Sequence, residues 1–183
     1  MALWVILGLL VVLIVVGVSL YNGLVRLRVR ADEAWSDIDT QLKRRHDLIP
    51  NLVETVKGYA AHERAVFEKV TEARSRAMAA TTPAQSAQAE GLLGVALRGL
   101  YAVAEAYPEL KANESFMSLQ QSLSQTEDAV SGSRRGYNTV VRDLNTRIET
   151  VPSSIVAGLF GFKPREFFEV QDAAERAAPQ VRF

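Results

Sequence analysis

The side chains best suited to chemistry lie around His46. His46 stands beside Asp47 and follows Lys43-Arg44-Arg45, a grouping that could serve acid/base chemistry or hold an anion. Helical metal ligands need a spacing of three or four, whereas the other histidine, His62, lies sixteen residues on. His62-Glu63 likewise lacks a second histidine nearby. Both histidines therefore read as structural or surface residues. Glu33, Asp37 and Asp39 form an acidic cluster close to Arg26, Arg28 and Arg30, which reads as a solvated helix face with local ion pairs. Gly91, Gly94 and Gly99 lack the preceding strand and Lys-Ser/Thr pair of a phosphate loop and read as close helix packing. No cysteine is present, so there is no thiol nucleophile, thiolate site or disulfide framework. No Ser/His/acid set or nucleophile elbow occurs. We assign no catalytic, cofactor-binding or metal residue from the sequence, and expect no enzyme and no cofactor.

Lys+Arg and Asp+Glu both number 21, and a balanced charge argues against a nucleic-acid partner. The residues that position everything else start at Leu3. Leu3 to Tyr21 carry no charge; as a helix they cover about 28 Å, close to the roughly 30 Å of a hydrocarbon core. Met1-Ala2 supplies no basic n-region and Val18-Ser19-Leu20 is a poor cleavage site, so the run reads as a retained anchor rather than a signal peptide. Arg26, Arg28 and Arg30 follow it and no basic residue precedes it, which predicts the N-terminus outside and the larger part in the cytoplasm. Trp4 and Tyr21 fall where interfacial aromatics belong.

Beyond the anchor, steps of four and three from Ala31 pick out Trp35, Ile38, Leu42, Arg45, Ile49, Leu52, Val56, Tyr59, Glu63, Val66, Val70, Ala73 and Ala77. This is a helical seam. It passes Pro50 without a phase shift, which predicts one kinked helix from Asn22 to Ala79; the alternative is a hairpin at Pro50. Arg45 and Glu63 break the seam, and Glu127, Arg134 and Arg147 are the expected partners across helices or subunits. Thr82-Pro83 with Gln85 opens a second helix to about Tyr107, with Ala89, Leu92, Leu93, Ala96, Leu100, Val103 and Tyr107 on one side. Asn113 caps a third to about Val151, facing inward through Phe116, Leu119, Leu123, Val130, Tyr137, Val140, Val141, Leu144, Ile148 and Val151. An apolar piece, Ile155 to Phe162, and a polar end with Pro179 follow.

With a spine of that length, helix three is roughly 30 Å too short to cover it. An extended link from Pro108 to Asn113 would start helix three near the level of Leu42. The spine from Leu24 to Ile38 would then lack an intrachain partner, and Ala31, Trp35 and Ile38 would form an association surface. The tail from Ile155 would begin at the distal end and pack on the bundle; the alternative for Ile155 to Phe162 is insertion into the membrane.

The stretches 21–25, 33–39 and 41–53 (Gln41-Leu42-Lys43-Arg44-Arg45-His46-Asp47-Leu48-Ile49-Pro50-Asn51-Leu52-Val53), with 107–113, 135–138 and 157–162, are similar to the LemA family of bacterial membrane proteins. The resemblance covers nearly the whole chain and implies a single-span protein, N-terminus out, with an antiparallel helical bundle. It brings no catalytic site; family genes often lie near membrane proteases or envelope-stress proteins. The expected architecture is all-α: an anchor (1–22), an elongated antiparallel up-down bundle (23–152) and a short C-terminal tail packed on it (153–183). The expected role is a non-enzymatic inner-membrane scaffold that self-associates through its membrane-proximal helix. The alternative is an adaptor or regulator of another membrane protein, such as a protease or sensor kinase in envelope stress.

Overall fold

A computed structural model describes residues 1–169; the expected polar end with Pro179 lies outside them. Six helices, and no strand, occur among the described residues: α1 (Ala2–Lys57), α2 (Arg64–Ala79), α3 (Pro83–Glu105), α4 (Pro108–Lys111), α5 (Glu114–Glu149) and α6 (Ser153–Leu159). The chain divides into two compact units. The first comprises 1–38 and 133–166, the second 39–132 and 167–169 of the described residues.

In the first unit, the opening of α1 is apolar and wholly exposed, and is long and apolar enough to cross a membrane. From Leu24 the same helix turns inward. Leu24 and Ala31 are completely buried with Leu144 of α5 and Val156 and Ala157 of α6. Each such leucine removed from water contributes about 1.5–3 kcal/mol. Trp35 packs on Tyr137, ring centroids 5.5 Å apart, and a Cβ at Gly23 would lie 3.9 Å from the Arg147 guanidinium. Rising numbers on α1 meet falling numbers on α5, so the two helices are antiparallel. The expectation that Leu24 to Ile38 has no intrachain partner is thereby corrected: Leu24, Ala31 and Ile38 are all fully buried in the chain.

The physical reason lies in the second unit. α1 does run through Pro50 unbroken, but it ends at Lys57, and α2 starts afresh at Arg64. Gly58 is a weak helix former, and Tyr59 and Ala60 both turn back onto the Val56 carbonyl. The single helix to Ala79 and the hairpin at Pro50 were both misplaced by this break. Lys57 lies over the Phe67 ring, and Arg74 reaches His46, so α2 folds back antiparallel along α1. With the spine shorter, α5 suffices. Arg45 faces Glu127, and Tyr59 accepts from Asn113. The link before α5 is not extended either: Pro108–Lys111 forms the helical turn α4.

The caps follow the sequence. Thr82 Oγ1 accepts from the Gln85 amide at 3.3 Å, and Asn113 Oδ1 accepts from the Phe116 amide at 3.0 Å. Ile49, Leu52, Val56, Phe67, Leu93, Leu100, Leu110 and Phe116 form the core of this unit. One face is rotated from expectation. α3 buries Ser86, Ala87, Glu90, Leu93, Leu97, Leu100 and Ala104, leaving Leu92 half exposed. Nor do Gly94 and Gly99 mark close packing, because a Cβ at either would meet nothing within 4 Å.

The tail is also relocated. α6 does not start at a distal end: Tyr21 stacks at 4.7 Å on Phe160 and 5.8 Å on Phe162. Gly161 makes this possible. It takes the left-handed conformation (φ 68°), and the Phe162 amide bonds back to the Ala157 carbonyl at 2.9 Å, the closure of a Schellman turn.

Candidate functional site

The polar residues brought together most deeply are Arg45 and His46 of α1 and Glu90 of α3, all nearly buried. Adjacent positions on α1 point about 100° apart, so Arg45 and His46 can grip one carboxylate from two directions. Arg45 Nη1 donates to Glu90 Oε2 at 2.8 Å, while His46 Nε2 meets Glu90 Oε1 at 2.6 Å. Glu127 of α5 stands 3.8 Å from the other arginine nitrogen. Tyr101 of α3 feels the same charges. Burial pushes its pKa up first, Glu127 adds to the rise, and Arg45 opposes it.

The His46 carbonyl completes the arrangement. It is the acceptor that an amide at position 50 would normally use, and Pro50 has no amide hydrogen. Arg74 Nε of α2 donates to it at 2.7 Å. A part-buried carbonyl orphaned by proline is thus satisfied by a guanidinium from the neighbouring helix.

Arg45 was expected to find Glu127, and it does at the longer distance; its main partner Glu90 escaped the sequence reading. Arg134 and Arg147, being cations, were partners only for Glu63. Glu63 is no seam residue, since it stands at the N-cap of α2 without a side-chain cap bond. His62 is exposed and Asp47 points outward. Glu33, Asp37 and Asp39 are exposed on α1. The acidic residue that does make a long-range pair there is Asp32, held by the Arg165 guanidinium.

Chemically, the Glu90 carboxylate has both oxygens engaged. Among the described residues, no buried side-chain nitrogen or oxygen lacks a hydrogen-bond partner, and no group of three His, Cys, Asp or Glu side chains could hold a metal. The arrangement fixes helices. A second feature of this unit is an open apolar cavity of about 400 Å³ between α2 and α3, lined by Val66, Ala73, Leu92, Val95, Ala96 and Gly99.

Comparison with known proteins places the chain. Magnetosome protein MamQ 2 of Paramagnetospirillum magneticum is 27% identical over 181 residues, covering 85% of this chain and 66% of that protein. Magnetosome protein MamQ of Magnetospirillum gryphiswaldense is 26% identical over 189 residues, covering 88% and 70%. Protein LemA of Metamycoplasma hominis is 28% identical over 141 residues, covering 74% and 63%. The chain spans about two thirds of the length of these relatives. Residues 34–183 match the LemA family as a whole, and that match, over a helical framework carrying the quoted motifs, shows that this chain belongs to the LemA family.

Proposed function

We propose that this chain is a non-enzymatic, single-pass protein of the bacterial inner membrane, with its N-terminus outside and the helices beyond the span in the cytoplasm, acting as a membrane-tethered scaffold. The observation that carries the reading is the divided character of α1. Its residues 3–16 are apolar and exposed along their whole length, while Leu24, Ala31, Ile38 and Ile49 of the same helix build cores. An exposed apolar helix of that length is stable only against a partner as apolar as itself, and a bilayer provides one. Arg26, Arg28 and Arg30 directly after it support the orientation. The mutual saturation of Arg45, His46 and Glu90 supports a structural part for the most chemically equipped side chains.

Self-association belongs to the proposal. With Ala31 and Ile38 taken up inside the chain, Val29, 44% exposed, is what the membrane-proximal helix retains for a neighbouring copy. A second reading, an adaptor docking onto another membrane protein such as a protease or sensor kinase, is favoured by the open apolar cavity beside Leu92 and Val95. Purification of the full chain in mild detergent, followed by imaging, separates them. A homo-oligomer is the expected result. A second protein in stoichiometric amount replaces the scaffold with the adaptor, and a bare monomer removes self-association.

A further inference from the structure

α6 carries a large apolar surface that the chain itself does not cover. Val156 and Ala157 face Leu24 and are buried, yet Ile155 is 62%, Leu159 78% and Phe160 64% exposed. Val151, just before the helix, is 78% exposed. On and beside a seven-residue helix that already spends one face on the core, four large apolar side chains in water are a cost that something outside the chain must offset.

The place of this surface says what covers it. Phe160 packs on Tyr21, the last residue of the apolar run, and Phe162 meets the same ring edge-on at 5.8 Å. Leu20 packs against the same core as Val156. The exposed face of α6 is therefore continuous with the end of the apolar surface of α1. Basic residues rim it. Arg28 lies over the Phe162 ring at 5.3 Å, Arg147 lies beside Gly23, and Arg26 and Lys163 are exposed close by in sequence. Glu149 offsets part of that charge. Apolar side chains level with the end of a span, under a basic rim, match the interface of an anionic bilayer, where apolar residues enter the acyl boundary and cations meet phosphate.

We infer that α6 is a second membrane contact, an apolar foot that inserts Ile155, Leu159 and Phe160 into the lipid interface beside the end of the α1 span. The inference rests on the reading of α1 as membrane-spanning. The foot holds the first unit against the lipid surface at two points, so it fixes how that unit is oriented on the membrane, which a single helical tether does not.

The absence of cysteine allows a direct test. The full chain with Ile155→Cys or Leu159→Cys, labelled with an environment-sensitive fluorophore, is reconstituted into vesicles of phosphatidylcholine with phosphatidylglycerol. Val11→Cys marks the proposed span and Asp128→Cys, on an exposed stretch of α5, marks water. Labels at 155 and 159 are expected to shift to the blue relative to 128. They should be quenched best by nitroxides carried shallow in the lipid, consistent with insertion of roughly 5–10 Å, whereas the label at 11 should be quenched best by deep ones. Labels at 155 and 159 that behave like 128, while 11 is deep, overturn the foot and leave the span standing. A label at 11 that itself reports water overturns the span and the foot with it. Equal quenching at 155 and 159 in pure phosphatidylcholine removes the basic rim from the argument.

Discussion

Around Leu24 and Leu144 the core of the first unit is aliphatic, and its polar links lie at the edge. Asn145 exchanges two hydrogen bonds with the Arg165 backbone, at 2.8 and 2.9 Å, and Tyr137 donates to the Glu166 carbonyl at 2.9 Å. These strap an extended segment onto α5. The second unit instead buries an arginine, a histidine and a glutamate among its helices. Aliphatic packing tolerates small rotations of a helix; a bidentate charge pair does not. On α3, Glu90 is buried on the same face as Leu93, Leu97 and Leu100, while Leu92 is left half exposed. Buried ion pairs are poor sources of stability but good selectors of one arrangement. The first unit selects its arrangement by strapping, the second by burying charge.

The sharpest way to break that contrast is Glu90→Leu. It leaves Arg45 buried without its acceptor, and the expected loss is about 3–5 kcal/mol in denaturant unfolding of the full chain in detergent. Replacing the group together, as Arg45→Met, His46→Leu and Glu90→Leu, should recover most of that loss. A triple variant as unstable as Glu90→Leu would mean that the charges contribute stability as well as selection. In the first unit the matching change is Leu144→Ala, a cavity in an apolar core, with an expected cost of about 2–5 kcal/mol that does not vary with salt. A marked salt dependence there would dissolve the distinction between the units.

A smaller effect isolates the proline. Arg74→Ala removes the guanidinium donor to the orphaned His46 carbonyl, and a bond to a charged donor is worth about 1.5–3 kcal/mol. In a Pro50→Ala background the amide of residue 50 can take the carbonyl itself, so the same Arg74→Ala change should cost clearly less. Equal costs in the two backgrounds would show that Arg74 acts on something other than the proline gap.

Much of this was legible in the sequence. The seam from Ala31 to Val56, the caps at Thr82 and Asn113 and the apolar run depend on periodicity and local hydrogen bonding, which a chain displays directly. Two things were not. The break after Lys57 is marked only by Gly58, and Tyr59 and Glu63 happened to fall in phase with the seam, so periodicity ran straight through it. That error lengthened the spine and left Ala31 and Ile38 without a partner. The site was hidden for a different reason. Glu90 looks like any surface glutamate on α3, and nothing local says that Arg45 and His46, 45 and 44 positions away, require it. The one available signal was Arg45 itself, a cation in an apolar seam, which demands a buried anion but does not say which.

The finest comparison uses one tyrosine from each unit. Burial raises the pKa of both Tyr101 and Tyr137. For Tyr137, Arg165 pulls the other way, while Glu166 and Asp32 add to the rise. The folded chain therefore holds each phenol proton more tightly than the unfolded chain does. Their contribution is complete below the ordinary tyrosine value of about 10 and is lost as pH rises through the folded value. Stability measured above pH ~10 should fall, and Tyr101→Phe or Tyr137→Phe should each flatten the decline. The two differ at neutral pH. Tyr137→Phe also gives up the bond to the Glu166 carbonyl, at about 0.5–1.5 kcal/mol, and should loosen the strap, read as faster amide exchange at Arg165. If Tyr137→Phe leaves that exchange unchanged, the strap is held by Asn145 and the Arg165–Asp32 pair, and the tyrosine serves the first unit only through its packing on Trp35.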